Sequence, residues 1–222
     1  MSHSHSDIPE TFARLPLFPL QQVLLFPCAL LPLHVFEPRY RALTAHCLEH
    51  DGLFALAQLR PGFESDYEGR PPVRSVAGLA KIVAHKRNSD GTYHMLVEGL
   101  GRVRLGPELP PEQPFREAAA HVQKDVPDPS VSLIEMRQTL MPLLDAIAPH
   151  FGDAGHALRS FCEEIDRAAC LMDVLSSALI HAPGLRRRLF ECSHVKIRAH
   201  LLSRGLARLL SELRPKDQSF QN

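Results

Sequence analysis

"LPLFPLQQVLLFPCALLPLHVF", Leu15 to Phe36, runs for 22 residues without a formal charge. Its length and apolarity would let a helix cross a bilayer. Pro16, Pro19, Pro27 and Pro32 argue against that helix, since each removes a hydrogen bond and clashes with the preceding turn. A period of two accounts for the stretch better. In "ALLPLHVF", Ala29, Leu31, Leu33 and Val35 form one apolar face, while Pro32 and His34 fall on the other, as in a strand at a sheet edge or with one wet face. "LPLFPL" reads as a shorter strand before it and "QQVLLFPC" as a connection with apolar contacts of its own. Two proline-bearing strands are therefore expected, and no membrane anchor.

The strands continue downstream. In "EPRYRALTAHCLEHDG", Pro38 suits the first position of a helix, Tyr40, Leu43, Cys47 and Leu48 recur at helical spacing, and Gly52 suits the stop. "LFALAQLR" (Leu53 to Arg60) is apolar on both faces, the pattern of a central strand. Pro61 to Pro72 is a loop that carries two aromatics, Phe63 and Tyr67. Val76 to Lys86 and Thr92 to Glu98 flank Asp90-Gly91, which is hairpin chemistry. Tyr93, Met95 and Val97 face one way, His94 and Glu98 the other, and Gly99 and Gly101 permit a bulge or bend. "FREAAAHVQ" (Phe115 to Gln123) supplies the last strand.

Beyond "KDVPDPS" (Lys124 to Ser130) the period becomes helical. Helices are expected over Val131 to Ile147, over Ala157 to Ile180, within "APGLRRRLFEC", and from a Ser193 cap through Leu213. The fold class is thus α+β: a curved, Pro-rich sheet or pseudo-barrel with one helix, then a helical subdomain. The boundaries read as a disordered tail at 1–11, a β-rich subdomain at 12–123, a linker at 124–130, a helical subdomain at 131–214 and a second tail at 215–222.

Composition narrows the function classes. The 222 residues carry 25 basic and 25 acidic groups, so the chain as a whole is not a polyanion binder. Five cysteines, an odd number without CxxC spacing, suit reduced, mostly buried thiols in a cytoplasmic protein. "MSHSHSDIPE" lacks the basic and apolar segments of a secretory signal, and its histidines read as a solvated tail. No Gly-Lys pair occurs, so there is no P-loop, and HExxH, GxSxG and GxGxxG are absent. Ser193 and Lys196 match SxxK spacing without the partner motifs of a serine-lysine enzyme. His34, His46, Cys47, His50, Cys192 and His194 are ligand types without a zinc spacing. From Arg186 to Lys216 there are nine basic residues against Glu191 and Glu212, which reads as solvated helix surface, with nucleic-acid contact as the alternative. No catalytic residue, metal or cofactor is assigned.

Leu15 to Leu43 followed by "GLAKIVAHKRNSDGTYHMLVEGLGRVRL" (Gly78 to Leu105) resembles the N-terminal, substrate-binding domain of the Lon ATP-dependent protease. "FEPRYR" is closest to the free-standing bacterial proteins of that family, and Asp173 to Leu210 is similar to the helices that follow its β unit. The resemblance covers about residues 12 to 213 and implies a curved β subdomain with a helical one. It implies a non-catalytic module that binds polypeptides, unfolded chains or a separate protease, without the ATPase and peptidase domains of full Lon proteases. In such a module, recognition uses exposed aromatic groups and free strand edges. Phe63 and Tyr67 are the candidate peptide-binding residues, with folding back as lids on the sheet as the alternative; Phe36 and Tyr40 are expected in the core. A hydrolase with an unrecognised site is the alternative reading of function.

Overall fold

A computed structural model describes residues 8–64 and 69–213. The chain divides into two compact units, one up to residue 124 and one from residue 125 onward. Of the tails expected at 1–11 and 215–222, residues 1–7 and 215–222 lie outside the described residues, and Thr11 belongs to the first strand.

The first unit is a six-stranded sheet with one helix: β1 (Thr11–Leu20), β2 (Leu30–Val35), α1 (Pro38–Leu48), β3 (Leu53–Gln58), β4 (Val76–Arg87), β5 (Tyr93–Glu108) and β6 (Arg116–Val122). The strand order is β2-β5-β4-β3-β1-β6, and β5 also pairs with β6. That additional pairing closes β5, β4, β3, β1 and β6 into a small barrel. Strand β5 achieves closure by length: Tyr93 to Glu98 pair with β2, and Val103 to Glu108 pair with β6 along the same edge. Between the two halves the β4–β5 register shifts, with Leu79 opposite Gly101 and Ala80 opposite Gly99. This is the expected glycine bend, a bulge that curves the strand.

The glycines serve a second purpose. A Cβ on Gly99 would lie 2.1 Å from the Phe26 carbonyl oxygen, and one on Gly78 would lie 2.5 Å from that of Leu25. The buried Leu25–Phe26 segment therefore lies directly on β4 and β5, held there by the Cys28 N–H donating to Gly99 O (2.7 Å). A turn centred on Pro27 and Cys28 follows, closed by Ala29 N–H to Phe26 O, and launches β2.

The prolines of β1 sit where the sheet has gaps. β6 pairs with β1 from Thr11 to Leu17, and β3 pairs with it from Leu17 to Leu20. Pro16 thus has only β6 beside it and Pro19 only β3, so each missing N–H falls on an unpaired side. The opening stretch is two strands and a connection, and no helix among the described residues is long and apolar enough to cross a membrane.

Two cores follow from strand alternation. Leu15, Leu17, Ala55, Ala57, Leu79, Val103, Ala118 and Ala120 come from all five barrel strands and fill the interior; the alanines fit its narrow bore. On the other face, Phe18, Phe54, Leu56, Val35, Met95 and Val97 pack beneath Tyr40, Leu43 and Cys47 of α1. Pro38 starts α1, and Gly52 ends the turn after it with φ 76° and its N–H on Cys47 O.

The second unit contains α2 (Leu133–Ile147), α3 (Gly152–Glu164), α4 (Ala168–Leu179), α5 (Pro183–Glu191) and α6 (Val195–Leu213). Ser132 and Glu135 cap α2 reciprocally. The single helix expected over Ala157 to Ile180 is two helices. Ile165 adopts extended backbone with its side chain buried, and Arg167 is extended too, so the chain turns there although the apolar spacing runs on. Ser193 is not the residue next to α6: its carbonyl accepts from Val126, and His194 precedes the helix. Arg198 is fully buried, its two terminal nitrogens each 2.7 Å from an Asp125 carboxylate oxygen, with Asp173 at 3.8 Å. Burial disfavours its charge, but the Asp125 hydrogen bonds together with the charges of Asp173 and Asp125 outweigh burial and raise its pKa.

Of the cysteines, Cys47, Cys162 and Cys192 are free, and Cys47 and Cys162 are buried.

Candidate functional site

Tyr40, one turn into α1, is positioned by two contacts with β1. Its ring stacks on Phe18 at 4.1 Å, and its hydroxyl donates to Pro19 O at 3.0 Å. The hydroxyl therefore occupies the side of Pro19 that the sheet leaves open. Beside it, a cleft of about 230 Å³ opens at one end of the barrel. Leu17, Tyr40, Leu59 and Phe115 form its apolar floor, Pro71, Pro111 and Pro114 its walls, and Arg39, Arg70 and Arg116 its polar rim.

The loop from Pro61 to Pro72 forms one wall through Gly69, Arg70 and Pro71. Its base is fixed by a Leu59–Val73 bridge and by Arg60 N–H to Pro72 O. Its far side is tied to the 109–116 segment by guanidiniums: Arg116 donates to Pro71 O at 2.8 Å and Arg70 to Leu109 O at 3.1 Å. Both arginines also hold Glu108, Arg70 at 3.0 Å and Arg116 in a closer ion pair. Burial raises the Glu108 pKa, but the hydrogen bonds and charge of Arg116, and then those of Arg70, together outweigh burial and hold the carboxyl below its ordinary range. The rim is thus a charged clasp around a proline-walled apolar hole. It offers shape, apolar area and hydrogen-bonding carbonyls rather than a nucleophile.

Phe63 is half-buried on this loop, outside the cleft lining, and Tyr67 lies outside the described residues. Tyr40 is core as expected, at 5% exposure, but Phe36 is not: it is 61% exposed and tilts toward His34 at 5.8 Å. Its position explains the difference, since it continues the outward row of Pro32 and His34 past the end of β2.

The other candidates are used elsewhere. Cys47 is buried, and its thiol donates to Leu53 O. His46 and His50 tilt against each other at 4.3 Å, and among the described residues no three His, Cys, Asp or Glu side chains converge as metal ligands. Lys196 lies 3.5 Å from Asp128. Arg186 turns inward to the carbonyls of Ser177 and Ile180 at the end of α4, so with Arg198 two of the nine basic residues point into the helical unit.

A sequence profile described as the ATP-dependent protease La (LON) substrate-binding domain matches residues 14–208. The chain belongs to this family. It is 26% identical over 212 residues to Lon protease 1 of Syntrophobacter fumaroxidans, covering 95% of this chain and 25% of that protein. It is 22% identical over 219 residues to the Lon protease of Desulfosudis oleivorans, with the same coverage. The chain spans about a quarter of the length of these Lon proteases, and the region matched is the substrate-binding domain. Two solved structures share the fold. The N-terminal domain of the Mycobacterium avium complex Lon protease gives a TM-score of 0.66 at 15% identity, covering 90% of this chain and 100% of that one. A Lon N-terminal domain protein from Xanthomonas campestris gives 0.63 at 21% identity, covering 86% and 97%.

The cleft of this Lon-type domain was hidden from sequence reasoning because its parts are far apart. Leu17, Tyr40, Leu59 and Phe115 come from four separate segments, each in an ordinary apolar pattern. The one available signal was the proline density of "RPP" at 70–72 and "LPPEQPF" at 109–115, which marks rigid walls.

Proposed function

We propose that this chain is a non-catalytic polypeptide-recognition module, working in the cytoplasm without a cofactor and engaging unfolded segments of other proteins, either alone or for a separate protease. The observation that carries the reading is the cleft at the barrel end: an apolar floor, rigid proline walls and a clasp of arginines around Glu108. Such a hole accepts one or two apolar side chains of an extended chain, and rigid walls reduce the entropy lost on binding. Family membership supports the same direction, since the family description names substrate binding. Phe63 and Tyr67 extend the contact along the loop that forms one wall.

The test is a fluorescence-anisotropy titration with a reduced, carboxymethylated polypeptide that cannot fold. Wild-type protein is expected to bind it and the native form of the same polypeptide not at all. Pro114→Glu, a charge on an exposed wall residue, and the double variant Phe63→Ala/Tyr67→Ala are each expected to weaken binding at least about threefold. Equal binding by all three proteins rejects this surface, and no binding by wild type rejects the reading.

A further inference from the structure

β2 is bonded to the rest of the sheet on one side only. Its ladder with β5 starts at Gly99 N–H donating to Ala29 O at 2.9 Å. Alternation then turns the amides of Leu31, Leu33 and Val35 toward β5 and those of Leu30, Pro32 and His34 away from it. Pro32, which has no N–H to offer, falls on the outward side.

The outward side is not covered by apolar packing. Leu30 is 59% exposed, and Pro32 and His34 are exposed. Alongside the edge, a groove of about 470 Å³ runs between β2 and the Gln21–Val23 segment. Its apolar lining, Phe18, Leu20, Val23, Leu33 and Tyr40, belongs to the core beneath α1. The sheet is therefore open along this edge, outside the closed barrel, with directional backbone groups at the lip and apolar side chains below.

On the outer face, charge is organised in cross-strand rows. His34 is opposite His94, which is opposite Lys86. The two imidazoles stack at 4.6 Å and 15°. His85 and Lys86 line the same shallow depression, whose walls contain no acidic residue. The nearest acid along these strands is Glu98, two rows away and opposite Lys81.

We infer that the free edge of β2 takes an extended polypeptide strand, added antiparallel, with apolar side chains entering the groove and an acidic side chain opposite His34. This rests on the polypeptide-recognition reading and assigns it a second contact with its own chemistry. The residue opposite His34 shares its face and its hydrogen-bonded position, so its carboxylate joins the row of His34, His94 and Lys86. Its two neighbours in sequence point to the opposite face and enter the groove. Leu30 and His34 each exchange two backbone hydrogen bonds with the incoming strand, whereas Pro32 only accepts, which sets the register by denying a donor at that one position.

The test uses a labelled peptide, Val-Thr-Val-Glu-Val-Thr-Val-Thr-Val, whose glutamate, second threonine and third threonine fall opposite His34, Pro32 and Leu30, with hydrogen exchange and anisotropy read on the same samples, and the carboxymethylated polypeptide titrated in parallel. Binding is expected to slow exchange at the Leu30 and His34 amides. N-methylation of the threonine and glutamate residues is expected to weaken binding by about tenfold or more, while N-methylation of the valines leaves it unchanged. His34→Glu, at the exposed position directly opposite the incoming glutamate, is expected to weaken this peptide about three- to fivefold and to favour the version with lysine in place of glutamate. If the peptide binds while the Leu30 and His34 amides are unaffected, or if methylated threonine and glutamate are tolerated, the edge assignment is wrong. Binding of the carboxymethylated polypeptide alone leaves polypeptide recognition standing and rejects this edge; binding of neither rejects both.

Discussion

Cys47 shows how one residue ties the helix to the sheet. It lies on the inward face of α1 at 1% exposure, and its thiol donates to Leu53 O at the start of β3. Burial first, and the Asp51 carboxylate second, push its pKa from an ordinary 9.0 up to about 12. The folded state therefore keeps a proton that the unfolded state gives up above pH 9. The stabilisation is complete below that pH and is lost as pH rises toward 12. Between pH 9 and 10.5, the unfolding free energy of wild type should fall more steeply than that of Cys47→Ala by about 1 kcal/mol per pH unit. Urea titrations followed by far-UV circular dichroism check this; parallel pH dependences would remove the buried thiol from the account. The apolar face of "YRALTAHCL" makes the burial of Cys47 legible in sequence. Phe36 was not legible, because an aromatic at a strand-to-helix junction has the same local pattern whether it turns in or out.

At the scale of elements, the bend of β5 decides whether the barrel closes. Gly99 and Gly101 look alike in "VEGLGRV", yet only the first faces another backbone: its Cβ would meet the Phe26 carbonyl at 2.1 Å, whereas Gly101 has nothing within 4 Å. Gly99→Ala should displace the Leu25–Phe26 segment and destabilise the first unit by about 1–3 kcal/mol, the range for overpacking. Gly101→Ala should change stability by no more than about 0.5 kcal/mol. Urea unfolding of the two variants separates close approach from backbone freedom, and equal effects would show that only the bend matters. Sequence alone placed the bend here and named most strands, because period-two patterns and Asp90-Gly91 are local signals. It did not separate α3 from α4. The break at Ile165 to Arg167 contains no glycine or proline, and its apolar residue is buried whether the helix runs through or turns. Nor did it show that β1, with two prolines, lies inside the sheet order: the stagger of β3 and β6 along β1 is a long-range fact that no window of residues contains.

For the molecule as a whole, fold class and family were legible, while the surface that acts was not, since it is assembled from segments about a hundred residues apart, as Leu17 and Phe115 are. The two proposed contacts, the proline-walled cleft and the open edge of β2, both belong to the first unit. In the second unit, Arg186 turns onto the end of α4 and Arg198 onto Asp125. The most direct measurement is hydrogen exchange of the intact chain with and without a saturating carboxymethylated polypeptide, read by mass spectrometry across all peptides. Recognition by the first unit predicts slowed exchange in Leu30 to Phe36 and in the loops at 61–72 and 109–116, with α2 to α6 unchanged. Protection confined to the helices, or none anywhere, would contradict it.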